Sequence, residues 1–93
     1  MTTATPDVAP ASPKVDRLPP YAVLLHNDDK NEMGFVVQTI AQLARIPMHD
    51  AFERMLETHN QGQSVVLLSH REHAEFVCDC FRSKGLVATV ERN

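Results

Sequence analysis

Tryptophan is missing from this chain and positive charge is in the minority: nine Lys and Arg stand against twelve Asp and Glu, a formal net charge of −3. A nucleic-acid partner, whose phosphates are held mainly by Lys and Arg, is therefore not expected. Long apolar runs are missing too. Val65 to Leu68 is a run of four, where a membrane-spanning helix needs about 20 residues. The stretch from Met1 to Pro13 has neither the basic start nor the apolar middle of a secretory signal. Cysteine is limited to Cys78 and Cys80, too close together for an ordinary stabilising bridge and suited to free thiols in a reducing compartment. These absences predict a cytoplasmic protein, with the chloroplast stroma also open to it. At 93 residues the chain is expected to build one modest core and hence one folded domain.

What is present divides the chain in two. Residues 1–18 carry Pro6, Pro10 and Pro13 among Ala, Thr and Ser, with no apolar period. Such a segment buries too little to offset its ordering entropy and is expected to be a disordered tail. Residues 19–93 are expected to be the domain. Tyr21 to Leu25 reads as a buried strand, ended by the turn-forming His26-Asn27-Asp28-Asp29. Met33, Val36, Val37, Ile40, Leu43 and Ala44 share one face of a helix that Pro47 stops. A second helix carries Ala51, Phe52, Met55, Leu56 and His59 on its apolar side and ends at Gly62. Ser64 to Leu68 reads as a strand. Ser69 is placed to cap a third helix with the stripe Ala74, Val77, Cys78 and Phe81. Gly85 ends that helix, and Leu86 to Glu91 forms the last strand. The order βααβαβ predicts an α+β domain, a three-stranded antiparallel sheet with three helices on one face.

Two places break the local pattern. One is the polar cluster from His26 to Asp29; the other is His59, a histidine at an apolar-stripe position. If strand end and helix pack together, Asn27, Asp29 and His59 converge beside Met33, Val36 and Met55, setting acceptors and negative charge next to an apolar hole. A metal would need three or four suitable donors. Asp28, Asp29 and His59 match no compact metal motif; of the other candidates, His70, His73, Cys78 and Cys80, the two cysteines lie ~200° apart on one helix, at ~100° per residue. Neither a metal nor any other cofactor is predicted. Hydrolysis would want a nucleophile with its base, or two carboxylates in distinct environments; nothing supplies either, and no enzymatic activity is predicted. Each residue also has a plain reading. An Asn- and Asp-rich turn bonds its own backbone, and Met33 and Met55 could be core filler.

The stretch Leu24-Leu25-His26-Asn27-Asp28-Asp29, followed by Met33 and Phe35-Val36-Val37, resembles the opening signature of the ClpS adaptor family. Ala51, Met55-Leu56, His59 and Gly62 resemble that family's second helix, and Ala74-Glu75 with Leu86 to Glu91 its end. The resemblance implies the same fold and a protein that binds free N-termini beginning with Leu, Phe, Tyr or Trp. It implies delivery of these substrates to a Clp ATPase, ClpA or ClpC, coupled to a peptidase. By motif position, Asn27, Asp29 and His59 would hold the α-amino group, with Asp28 supporting the turn. Leu25, Met33, Val36, Met55 and Leu86 would line the side-chain pocket, and Asn31 would lie near the substrate backbone. Glu72 would touch the N-domain of the ATPase. A monomer is expected. The other function the resemblance allows is a regulatory module of the same fold that docks on the ATPase without reading N-termini.

The sequence departs from the family pattern in places. Asn31-Glu32 stands where Thr-Pro is usual and Gly34 where an acidic residue is usual, altering the pocket rim. Val77 stands where a lysine is typical, a few residues after Glu72. The short third helix resembles the cyanobacterial and chloroplast members, or a second paralogue.

Overall fold

Six elements succeed one another in the computed structural model, which describes residues 20–93. They are β1 (Tyr21–His26), α1 (Met33–Ala44), α2 (Met48–Gln61), β2 (Gln63–Ser69), α3 (Arg71–Ser83) and β3 (Val87–Arg92). The tail expected at residues 1–18 lies outside the described residues.

The most apolar strand takes the middle of the sheet. β1 pairs antiparallel with β2 on one side and β3 on the other, giving the order β2-β1-β3. Its four central residues, Ala22 to Leu25, are all buried, as a strand with neighbours on both edges requires. Between Val23 and Leu24 the register against β2 slips. Val23 pairs with Leu67 and Leu24 with Val65, so Val66 is the extra residue of a bulge. The helices cover the face that carries Val23, Leu25, Val66 and Ala88. Onto it α1 lays Val37, Ile40 and Ala44, α2 lays Ala51 and Met55, and α3 lays Ala74, Val77, Cys78 and Phe81. Phe81 is fully buried; hiding such a side chain is worth about 1.5–3 kcal/mol.

Several local expectations need correction. β1 runs through His26, whose Nε2 lies 2.7 Å from Thr89 Oγ1 on the neighbouring strand. That partner holds the residue in the sheet rather than in the turn. α1 ends at Arg45, in the left-handed region at φ 58° with its N–H on the Ala41 carbonyl, before Pro47 is reached. A residue preceding proline is kept out of helical backbone, so the chain must leave the helix ahead of Ile46. Pro47 thus stops α1 as expected and also caps α2. Ser69 closes β2, and the cap of α3 is His70, whose Nδ1 accepts from His73 N–H at 3.4 Å. On α2 the buried line is Ala51, Met55 and Thr58, while Phe52, Leu56 and His59 face solvent.

Two glycines should respond to the same change with opposite sign. Gly62 closes α2 at φ 92°, a conformation that costs a residue with a Cβ about 1 kcal/mol or more. Gly34 is helical, and a Cβ there would meet nothing within 4 Å, so alanine gains up to about 1 kcal/mol by stiffening the unfolded chain. Urea denaturation should find Gly62→Ala less stable and Gly34→Ala more stable than the parent.

Candidate functional site

Where β1 leaves the sheet, the chain crosses to α1 through Asn27–Glu32, and that loop is tied down at both ends. Asn27 N–H donates to the Gly62 carbonyl at 2.9 Å, fastening the loop to the turn after α2. Asp28 then organises the rest. Its Oδ1 accepts from the N–H groups of Lys30 (2.9 Å) and Asn31 (3.2 Å), the self-bonding expected of an aspartate in a turn. The side-chain amide of Asn31 donates to both Asp28 carboxylate oxygens, at 3.3 and 3.4 Å, and to the Gly85 carbonyl at 3.1 Å.

The opposing wall is the last two turns of α2. Thr58 is buried and its Oγ1 donates to the Arg54 carbonyl at 2.8 Å. Ser64 Oγ of β2 lies 2.6 Å from that hydroxyl and 3.1 Å from the same carbonyl. This small polar knot fixes the rotation of α2 on the sheet, which turns Met55 inward and brings His59 to the surface beside the loop.

Between loop and helix lies a cavity of about 210 Å³. Its lining joins every residue singled out from the sequence for the amine and the side-chain pocket: Asn27, Asp28, Asp29 and His59, together with Leu25, Met33, Val36, Met55 and Leu86. Asn31 lines it as well, and so do His26 and Thr58, which sequence reasoning did not assign to the site. A signal for Thr58 existed, since 51, 55 and 58 follow helical spacing. The apolar floor is immobilised in the core, with Leu25, Met55 and Leu86 each no more than 4% exposed. The mouth is wet: Asn27, Asp29 and His59 are exposed, as is Met33. Such a cavity can take an apolar group inward and present acceptors to a cation at its edge.

Glu72 lies elsewhere, exposed on the first turn of α3. Val77 is 3% exposed and belongs to the core. The comparison with a surface lysine therefore fails at that position, because the stripe 74, 77, 78, 81 points toward the sheet.

Among the described residues, the potential metal ligands that converge are His49, Asp50 and Glu53, with ligand atoms within 4.8 Å. They are exposed on the first turns of α2, and His49 already pairs with Glu53 at 3.3 Å. The groups weighed from the sequence are not among them. Cys78 is buried and Cys80 partly exposed, as their angular separation on one helix demands. No helix among the described residues is long and apolar enough to cross a membrane.

A three-stranded antiparallel sheet roofed by three helices, with an acceptor-rimmed apolar pocket at the end of its central strand, defines a small α+β binding domain. Comparison with known proteins identifies which kind. Residues 16–89 match the family model "ATP-dependent Clp protease adaptor protein ClpS", and the chain belongs to that family. It is 43% identical to the ATP-dependent Clp protease adapter protein ClpS of Synechococcus sp. (strain CC9902) over 81% of this chain and 73% of that one. It is 34% identical to the chloroplastic adapter protein CLPS1 of Chlamydomonas reinhardtii over 96% of this chain and 56% of that one. Among solved structures, Agrobacterium tumefaciens ClpS2 bound to L-phenylalaninamide superposes with a TM-score of 0.74 at 28% identity, covering 83% of this chain and all of that one. The family is one of adaptors to a protease.

The thiols give a direct check on the packing of α3. Burial pushes the Cys78 thiol above its ordinary range, so little thiolate is available there for alkylation. Iodoacetamide at pH 8 should label Cys80 first, with Cys78 reacting only as the protein unfolds, as peptide mass spectrometry will show.

Proposed function

We propose that this adaptor holds the free N-terminus of substrate proteins that begin with a bulky apolar residue and delivers them to a Clp ATPase of the ClpA or ClpC kind. The supporting observation is the single pocket that sets Asn27, Asp29 and His59 on the rim of an apolar hole floored by Leu25, Met55 and Leu86. A free α-amino group is mostly an ammonium at neutral pH and carries three N–H donors. Asp29 supplies a carboxylate, Asn27 an amide oxygen and His59 a ring nitrogen. An internal peptide bond offers no such cation, so covering these acceptors with one leaves them unpaired, at a cost of about 1–3 kcal/mol each. The apolar walls then read the first side chain, whose burial contributes about 1.5–3 kcal/mol. Met33, half exposed at the mouth, and Val36 complete those walls. Asn31 stands beside the path of the substrate backbone, and Asp28 acts indirectly by holding the loop.

The ligand of the Agrobacterium relative, L-phenylalaninamide, has the same two features, a free amine next to a bulky apolar side chain. Glu72, exposed on the first turn of α3 and outside the pocket lining, is proposed as part of the ATPase contact, and residues 1–18 as the segment needed for delivery rather than for binding.

A peptide beginning with free Phe or Leu should bind with a micromolar dissociation constant or tighter, about −8 kcal/mol or better. The same peptide acetylated at its N-terminus should not bind. Asp29→Ala or His59→Ala should weaken binding by about 1.5–3 kcal/mol, the scale of a hydrogen bond to a charged group. Fluorescence polarisation or calorimetry measures both. Equal affinity for the blocked peptide would refute the amine site, and a protein that binds the ATPase but no peptide at all would be a regulatory module instead.

A further inference from the structure

Both amide hydrogens of Asn31 are engaged inside the protein. Nδ2 lies 3.1 Å from the Gly85 carbonyl oxygen and 3.3 and 3.4 Å from the two carboxylate oxygens of Asp28. The orientation of the amide follows from its partners. Turned over, Asn31 would set its own oxygen against a carbonyl and a carboxylate, with no proton between them.

The two partners belong to different segments beside the pocket. Asp28 sits in the loop that carries Asn27 and Asp29. Gly85, at φ 89°, stands 54 positions from Asn31 and directly before Leu86. The peptide unit between Gly85 and Leu86 is gripped at each end: its oxygen accepts from Asn31, and its N–H donates to the Phe81 carbonyl at 3.2 Å. The side chain hung on that unit is Leu86, a buried part of the pocket floor. Among the described residues, the Asn31–Gly85 bond is the hydrogen bond that joins the 27–32 loop to the 84–86 turn.

We infer that Asn31 is a latch, a positioning residue that fixes the spacing between the amine-side loop and the Leu86 wall and thereby sets which first side chains the pocket accepts. The inference rests on the pocket reading proposed above. With the latch closed, the floor keeps one width, and a side chain of the wrong shape cannot widen it cheaply. With the latch removed, the loop still has its Asn27–Gly62 anchor, while the 84–86 turn keeps its backbone bonds to α3 and its run into β3 but loses its tie to the loop. The pocket should then lose discrimination before it loses its fold. The latch also leaves the side-chain oxygen as the Asn31 group free to meet a bound chain.

The test uses the full chain with Asn31→Ala, and Asn31→Leu as a variant that keeps the bulk without the donors. Two peptides identical but for a free Phe or a free Val at the first position are titrated. Hydrogen exchange is followed at the Leu86 amide. The expected result is a fivefold or greater loss for the Phe peptide, a smaller change for the Val peptide, and exchange at Leu86 at least several times faster. The melting temperature should stay close to the parent's. A Phe-to-Val ratio and a Leu86 exchange rate both unchanged would overturn the latch. So would equal proportional losses for both peptides with a lowered melting temperature, which would mark a purely structural residue. Failure of the parent protein to bind either peptide would overturn the pocket reading instead, and Leu86 exchange would still decide whether the latch exists.

Discussion

One backbone hydrogen bond joins the two halves of the site: Asn27 N–H to the Gly62 carbonyl. Asn27 is the first residue beyond the central strand, and Gly62 is the left-handed stop of α2. The β1–β2 ladder, which pairs His26 with Gln63, sets the two residues opposite each other. The bond brings the loop with its carboxylates to the helix end that carries His59. It depends on Gly62, because only there can the chain reverse from α2 into β2 within one residue and leave its carbonyl facing β1. The Thr58–Ser64–Arg54 knot beneath it serves the same end by fixing the roll of α2. Rim geometry is thus set in part by Gly62, Ser64 and Arg54, which lie outside the pocket lining.

That division explains how an acceptor-rich rim can persist in a stable protein. Asn27, Asp29 and His59 are exposed, so water satisfies them in the free state and their spare lone pairs cost little. The cost arises only when something covers the mouth. An occupant that brings donors replaces the lost water; one that does not leaves acceptors stranded. On the proposed reading, discrimination for a chain end comes from this asymmetry more than from the net strength of any single bond. Burial of a large side chain supplies the remainder of the affinity.

Much of the frame was legible in the sequence because it follows simple periods. Ala74, Val77, Cys78 and Phe81 mark the inner face of α3, and Val37, Ile40 and Ala44 that of α1. The polar run after β1 and the histidine near Gly62 likewise pointed to residues that do share one pocket. What failed was the width given to the apolar face of α2, which took in Phe52, Leu56 and His59 alongside Ala51 and Met55. Phe52, Leu56 and His59 are as well spaced as Ala51, Met55 and Thr58, and hydrophobicity favours the first set. The sheet chose the second, because the flank that meets β2 must carry a hydroxyl for Ser64. A threonine bonded to its own helix is less polar than its formula suggests. His26, and Ser69 in place of His70 as the cap of α3, were misread for a related reason. One has a cross-strand hydroxyl and the other a nearby backbone N–H, and partners in space are invisible in the spacing of a single segment.

The walls of the cavity differ in a way that bears on what it can hold. Leu25, Met55 and Leu86 are embedded in the core on their far sides and cannot withdraw without opening voids, and close-packed interiors resist this. Met33 is 49% exposed, on the first residue of α1, with an unbranched side chain that can take several rotamers at little cost. A hole with a fixed floor and one yielding lip can close over ligands of different outline while still rejecting what is too bulky near its base. The floor is where shape is enforced, and the latch at Asn31 acts on the floor rather than the lip. Selectivity in this domain is therefore expected to reside in the part of the pocket least visible from outside.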